Sequence, residues 1–379
     1  MTPDEIYRAA VKRCVAAAVA LGASELHEIL ARCQGADPRL VAACVEELGA
    51  TSAARRPERG TSGELFVQLP APDPFRSQWW FTGESVAYLA DRVLSTGDEG
   101  PIFSLGTPTV GHELFRDGAD VLMLDVDQHV VDAVNELSDR AVAQSYDVAD
   151  DLPEGLGAAF RVAVIDPPWY EDLHRVFIQR ALAALVDGGE LFCTLPPALT
   201  RPDAQEFSNA LLGELMRGGH QLLGLERGVL RYVVPRFEEV ALGGISGFRA
   251  LPWRHADLLH VRKCAGASSI HAPHLEKVAI QAFTRSPQEF RVFLLPRQSI
   301  DERVVLERLE AYSSNVSTRA HSGDSPDLWT TEKVGVRIGQ LEAVAAALKV
   351  WQEGARSTEE AIQQLKSCHS DAVARHVVH

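Results

Sequence analysis

"PIFSLGTPTVGHELFRDGADVLMLDVDQHVVDAVNELSDR", residues 101–140, reads as strand, glycine turn, helix, strand, acidic turn, helix. Its two apolar runs, "PIFSLG" and "DVLMLDVD", are short and unbroken, as in strands covered on both faces. The intervening "VGHELFRDG" and the following "QHVVDAVNELSDR" carry apolar residues at helical spacing. The same alternation continues downstream. "AVAQSYDVAD" is a strand with a loop, and "RVAVIDPPWY", "ELFCTLP", "HQLLGLERGVLRYV" and "DLLHVRK" are further strands. "EDLHRVFIQRALAALVDGG" and "AQEFSNALLGELMRGG" are helices. Regular alternation of this kind predicts the α/β class, with a Rossmann-like, doubly wound parallel sheet over residues 100–264. Such sheets take ligands at the carboxyl ends of their strands.

The flanks differ. Residues 1–69 read as three helices capped by Thr2, Ser24 and Asp37, then the polar "RRPERGTSG" and a short strand "ELFVQLP". That is a winged-helix-like pattern. It suits DNA binding through the third helix, or a homodimer-forming or substrate-gating module. "DPRLVAACVEEL" offers only Arg39 to read bases and ends in acids, which favours the second use. "PAPDPFRSQWW" reads as a linker, and "TGESVAYLADRVLSTG" as a lead-in helix capped by Thr82; together they fill residues 70–99. Residues 265–379 read as a small α+β domain of unassigned role. "KVAIQAF" and "FRVFLLP" are its strands, "SIDERVVLERLEAYSS" a helix and "QLEAVAAALKVWQEG" the last helix. Ser317–Arg319 and His321 sit in a polar loop there and read as solvated, with anion binding as the alternative.

The chain has 379 residues, 46% hydrophobic and 23% charged, which suits a folded protein of two or three domains. No apolar run approaches the ~18 residues of a membrane helix. "MTPDEIYRAAVKRC" has an early acidic pair and no apolar core, so a cytoplasmic protein without a signal peptide is expected. The six cysteines form no CxxC pair, so neither a zinc site nor a disulfide framework is indicated. His271 and His274 in "HAPH" are too few for a metal site. A net charge of -15 disfavours a broad nucleic-acid surface, because phosphate binding needs clustered Lys and Arg. It suits a small molecule or a cationic substrate.

The strand ends carry the candidate chemistry. Gly106 and Gly111 bracket the first turn, where glycine lets the backbone approach a ligand and the helix N-terminus offers amide donors. The G-x-x-x-x-G spacing is neither a dinucleotide fingerprint nor a P-loop. Asp125, the first acid after the second strand, is placed to accept from both hydroxyls of a ribose. Asp127 is the alternative, or a cap for the next helix. Asp147 follows the third strand and is placed to accept from an adenine amino group. Asp166 ends the fourth strand before two prolines. Prolines donate no amide hydrogen and push the preceding residue into extended backbone. The Asp166 carboxylate and the carbonyls near Pro167 then converge as acceptors on one amine, whose lone pair is aimed at an electrophile. Trp169 can stack on a flat base or embrace a cation.

"DPPW", with "LG…G", "DVD" and "YDV", resembles class I S-adenosylmethionine-dependent methyltransferases of the amino-methylating group, over about residues 82–264. The layout also resembles the branched-chain polyamine synthases, which move aminopropyl groups from decarboxylated S-adenosylmethionine. The shared features are a winged-helix-like start, "WFTGESVAYLADRVL", a glycine-loop strand and "IDPPWY". Where that family has an acidic GDDD run, this chain has Gly106-Thr107-Pro108-Thr109.

The resemblance implies a donor of the S-adenosylmethionine type, decarboxylated or not. It implies that Gly106, Thr107 and the loop amides as far as Gly111 hold the donor's amino-acid part. Asp125 or Asp127 would hold the ribose, and Asp147 the adenine. Asp166 with Pro167 would orient the amine, and Trp169 and Tyr170 would form the acceptor wall. A small-molecule amine is the expected partner, with methyl transfer preferred to aminopropyl transfer because the acidic run is missing. Adenine-N6 methylation of nucleic acid, for which DPPW is also a known spelling, and a non-catalytic adenosyl-binding scaffold are the other readings.

Overall fold

Strands β1 (Ile102–Leu105), β2 (Val121–Asp125), β3 (Ala143–Ser145), β4 (Phe160–Ile165), β5 (Leu185–Leu195), β6 (Gln221–Arg231) and β7 (His255–Arg262) form one sheet, ordered β3-β2-β1-β4-β5-β7-β6. Pairing is parallel from β3 to β5, and β7 runs antiparallel to both β5 and β6. The expected doubly wound parallel sheet is therefore present with a reversed β7 between β5 and β6. The computed structural model describes residues 2–49, 68–97, 100–138, 140–286, 288, 290–295, 306–308, 326–332, 334–338 and 341–354.

The strands are apolar because both faces are covered. Phe103, Leu105, Leu124, Ala163, Ile165, Leu191 and Cys193 lie in one buried cluster with Val176, Phe177, Ile178 and Ala181 of a flanking helix. Each fully buried aliphatic or aromatic side chain contributes about 1.5–3 kcal/mol against exposure. The register aligns the strand ends. Leu105 lies opposite Leu124 on one side and Ile165 on the other. Gly106, Asp125 and Asp166 therefore leave the sheet side by side at one level. Ile165 is paired with Cys193, which puts Thr194 beside Asp166.

Local signals set most helix starts. Thr2 and Glu5 form a capping box on α1 (Pro3–Ala20). Asp37 accepts from Arg39 N at the head of α3 (Pro38–Glu47). For α2 (Leu26–Arg32) the cap is Glu25 rather than Ser24. Glu28 reaches back to the amides of Ser24 and Glu25 and closes that end with a carboxylate. The strand expected at "ELFVQLP" and the turn before it lie, except for Gln68 to Pro70, outside the described residues, so the wing does too. Thr82 caps α4 (Gly83–Leu94) through Ser85 N. Next come α5 (Pro108–Arg116), α6 (Gln128–Ser138), α7 (Glu171–Ala184) and α8 (Ala204–Arg217). The helix expected through Gly189 stops at Ala184, because β5 begins at Leu185 and its first residue pairs with Phe160 of β4.

The chain groups into two units: residues 1–69, 79–234 and 243–277 in one, and 70–78, 235–242 and 278–379 in the other. The second holds α9 (Arg236–Leu242), α10 (Leu341–Gln352) and a sheet ordered β10-β12-β11-β9-β8. Its strands are β8 (Gln281–Ser286), β9 (Phe290–Leu294), β10 (Leu306–Arg308), β11 (Leu328–Thr330) and β12 (Gly335–Ile338). The helix expected over "SIDERVVLERLEAYSS" gives way to a strand. Leu306–Arg308 pair antiparallel with Val336–Ile338, and that ladder overrides helix propensity. The rest of that segment, with Ser317–Arg319 and His321, lies outside the described residues.

Pro70–Gln78 is not a free linker. Asp73 is fully buried and accepts from the Trp329 indole at 2.9 Å, and Phe75 stacks on Trp329 with centroids 4.7 Å apart. Among the described residues no helix is long and apolar enough to cross a membrane.

Candidate active site

Asp166 is the centre of the strand-end array. Its Oδ1 accepts from the Thr194 hydroxyl at 2.5 Å and from the Tyr232 hydroxyl at 2.7 Å. Its Oδ2 has no hydrogen-bond partner among the described residues. Burial pushes its carboxyl up to about 7, opposed by those two hydroxyls and by the positive charge of Arg254. Burial and the neighbouring Asp166 charge hold the Tyr232 phenol well above its ordinary value, so at neutral pH Tyr232 is a donor.

The turn after Asp166 is held from outside. Pro167 and Trp169 are buried. The Pro168 carbonyl accepts from Tyr170 N at 2.7 Å and faces His174 Nδ1 at 3.1 Å. The other His174 nitrogen faces the Thr194 carbonyl at 3.1 Å. This fully buried ring, whose pKa burial lowers to about 4, clamps the proline turn to the end of β5. Arg201 donates to the Trp169 carbonyl. Tyr170 starts α7, and its side chain makes no capping bond.

Aromatic rings crowd the same end. Trp169 meets Tyr232 edge-on at 5.8 Å, and Phe81 stacks on Tyr232 at 4.8 Å. The Arg254 guanidinium lies 4.1 Å from the Trp169 ring centre and 4.5 Å from that of Trp79. Arg254 and Tyr232 are joined directly, since Tyr232 N donates to the Arg254 carbonyl at 3.1 Å.

On the other side of Asp166, Gly106 has φ +66°, the left-handed region that favours glycine. A Cβ there would lie 3.2 Å from the Phe177 ring and 3.5 Å from the Asp166 carbonyl oxygen. Asp125 Oδ1 accepts from Asp127 N at 2.8 Å, which fixes the carboxylate at the end of β2. Asp147 Oδ1 accepts from Ala149 N at 2.9 Å in the loop after β3.

Three expected ligand contacts take other roles. Thr107 is 2% exposed, and its hydroxyl bonds Ser104 at 2.7 Å, so its side chain points into the protein. Gly111 is buried in α5, where a Cβ would meet Met123 at 2.5 Å and Ser104 Oγ at 2.7 Å. It serves helix–strand packing, not ligand approach. Asp127 is 2% exposed and accepts from His129 N, so it caps α6, the second of its expected roles. Asp150 and Asp151 pair with Lys277 and Arg180.

Thr194, Tyr232, His174, Arg254 and Trp79 were not singled out from the sequence. Thr194 and Tyr232 were findable, because each stands at the end of a predicted strand, "ELFCTLP" and "HQLLGLERGVLRYV". His174 and Arg254 carry no comparable signal.

A family model described as "Probable N6-adenine methyltransferase" matches residues 73–194, less than half of the chain. No curated protein matches the chain. The branched-chain polyamine synthase of Thermus thermophilus, solved in complex with N4-aminopropylspermidine and 5'-methylthioadenosine, is similar in structure. It is 16% identical, with a TM-score of 0.54 over 70% of this chain and 90% of that one. Its C9 mutein, with the same ligands, is 17% identical with a TM-score of 0.55 over the same shares. The likeness is one of fold alone.

Proposed function

We propose that the chain is a transferase that moves a methyl group from an S-adenosylmethionine-type sulfonium donor to an amine nitrogen of a small molecule. One observation carries this reading: Gly106, Asp125 and Asp166 emerge at the same level from three neighbouring strands. The residues present fit such a donor. The left-handed turn at Gly106 brings backbone close to the cleft, with the first turn of α5 behind it. Asp125 is held at the strand end where a ribose is gripped in this architecture, and Asp147 is one strand further out. When bound, the donor supplies an electrophilic alkyl group on sulfur.

The chain's own work is alignment and proton handling. Asp166 Oδ1 is fixed by Thr194 and Tyr232, so Oδ2 and the Pro167 carbonyl are the acceptors offered to an amine. A carboxyl near 7 is ionised on about half of the molecules at neutral pH, and in that form it accepts a proton from the amine as its nitrogen forms the new bond. Trp169 and Tyr170 form the wall on that side.

Methyl transfer is favoured over aminopropyl transfer by the β1 turn. Thr107 and Thr109, which stand where the polyamine synthase pattern has acids, are 2% and 1% exposed. Glu226, an acid in a later segment, is bonded to Tyr88 and Arg92. The aminopropyl reading is supported by the likeness to the polyamine synthase over 70% of the chain. The adenine-N6 reading is supported by the family match over residues 73–194.

Calorimetric titration of the protein with S-adenosylmethionine and with its decarboxylated form separates methyl from aminopropyl transfer. We expect the first to bind more tightly. Tight binding of the decarboxylated form alone would overturn methyl transfer, and binding of neither would overturn the transferase reading.

A further inference from the structure

Trp169 and Trp79 present the kind of aromatic faces that receive a cationic ligand, yet the chain places its own cation on them. The Arg254 guanidinium is 4.1 Å from the centre of one ring and 4.5 Å from that of the other. A guanidinium is planar and always charged, and it stacks well on indole. Two further contacts link the Arg254 backbone to Asp166 through Tyr232. The Arg254 carbonyl is bonded to Tyr232 N, and the Tyr232 hydroxyl is bonded to Asp166. The Tyr232 hydroxyl therefore reaches Asp166 by a direct bond, and the Arg254 charge acts on it through space. Arg254 is also the charged group whose field lowers the Asp166 carboxyl against the pull of burial.

We infer that Arg254 is a specificity-determining residue: it fills the Trp79–Trp169 pair and makes the Asp166 site take an acceptor that is neutral or anionic, not a polycation. This rests on the reading of Asp166 as the amine site and names the charge class of its substrate. The physical basis is twofold. A polyamine would have to displace an internal cation from the aromatic faces, and a fixed positive charge beside Asp166 opposes it through space. The Arg201 guanidinium, bonded to the Trp169 carbonyl, adds a second cation on the same turn. Its partner Asp203 offsets part of that charge.

The test is calorimetric titration of spermidine into the wild-type protein and the Arg254→Met variant, each saturated with S-adenosylhomocysteine. Methionine keeps an unbranched apolar stem against the indoles and removes the charge. We expect spermidine to bind the wild type no better than millimolar and the variant at least tenfold more tightly, with the difference shrinking as salt rises. Micromolar binding to the wild type would overturn the inference. So would an unchanged affinity in a variant that still binds S-adenosylhomocysteine. If neither protein binds S-adenosylhomocysteine, the methyl-transfer reading fails on its own account, and the same spermidine comparison on the ligand-free proteins still decides the role of Arg254.

Discussion

The β1–β2 side of the cleft and the β4 side solve the same problem with different materials. On the β1–β2 side, the shortest side-chain hydrogen bonds come from near neighbours in sequence. Asp125 is held by the amide two residues on, and Asp147 likewise. Thr107 is held by Ser104. On the β4 side, Asp166 is held by Thr194, Tyr232 and the field of Arg254, 28, 66 and 88 residues away in sequence. The side chains of the first side are held mainly by local turns, and those of the second form a network. Side chains in a network couple, so their removal has effects that do not add.

The sharpest way to break this comparison is Asp166→Ala. General acid–base groups contribute about 10²–10⁴-fold, so turnover of whichever amine the wild type methylates is expected to fall about a thousandfold. Affinity for S-adenosylhomocysteine, measured by calorimetry, should stay within about threefold if the two sides are separate devices. A parallel loss of that affinity would mean that the cleft is one network and that Asp166 has been assigned to the wrong side.

Tyr232→Phe tests the network itself. The hydroxyl donates to the carboxylate and so favours its ionised form. Removing it raises the Asp166 pKa further. A hydrogen bond to a charged group contributes about 1.5–3 kcal/mol, and about 1.4 kcal/mol corresponds to one pH unit. The acid limb of the rate profile, expected to rise through about 7 in the wild type, should move up by at least about one unit. For a one-unit shift the variant should be roughly fivefold slower at pH 7, with most of the rate recovered near pH 9. A uniform loss at every pH would show that Tyr232 acts on geometry and not on the Asp166 charge.

The same contrast explains what the sequence made readable. The doubly wound sheet and the placing of Asp125 and Asp166 follow from the strand pattern and the strand-end rule. Caps at Thr2, Asp37 and Thr82 are local and were legible for that reason. Apart from the local one at Ser24, the errors have the opposite character. Ser24 gave way to Glu25 because Glu28 closes that turn from the next helical turn. Leu306–Arg308 became a strand through pairing with residues 28 to 32 positions later. Pro70–Gln78 reads as a linker until Trp329, about 250 residues on, is seen bonded to Asp73. His174 and Arg254 act through contacts that no periodicity announces.

Gly111→Ala probes the β1–β2 side, and its expected effect is the smallest. In a glycine reserved for ligand approach, the added methyl would weaken donor binding and leave the fold intact. Here the methyl would meet Met123 at 2.5 Å and Ser104 Oγ at 2.7 Å, both within the protein. Alanine gains about 1 kcal/mol over glycine in a helix, and overpacking a buried contact costs about 1–3 kcal/mol. Met123 is 3% exposed and Ser104 is tied to Thr107, so neither yields easily and the clash outweighs the propensity gain. The urea midpoint should fall by an amount worth about 1–2 kcal/mol, and the folded protein should bind S-adenosylhomocysteine as before. Unchanged stability with weakened binding would return Gly111 to the ligand, and the β1–β2 side would then gain a contact beyond Gly106 in its glycine turn.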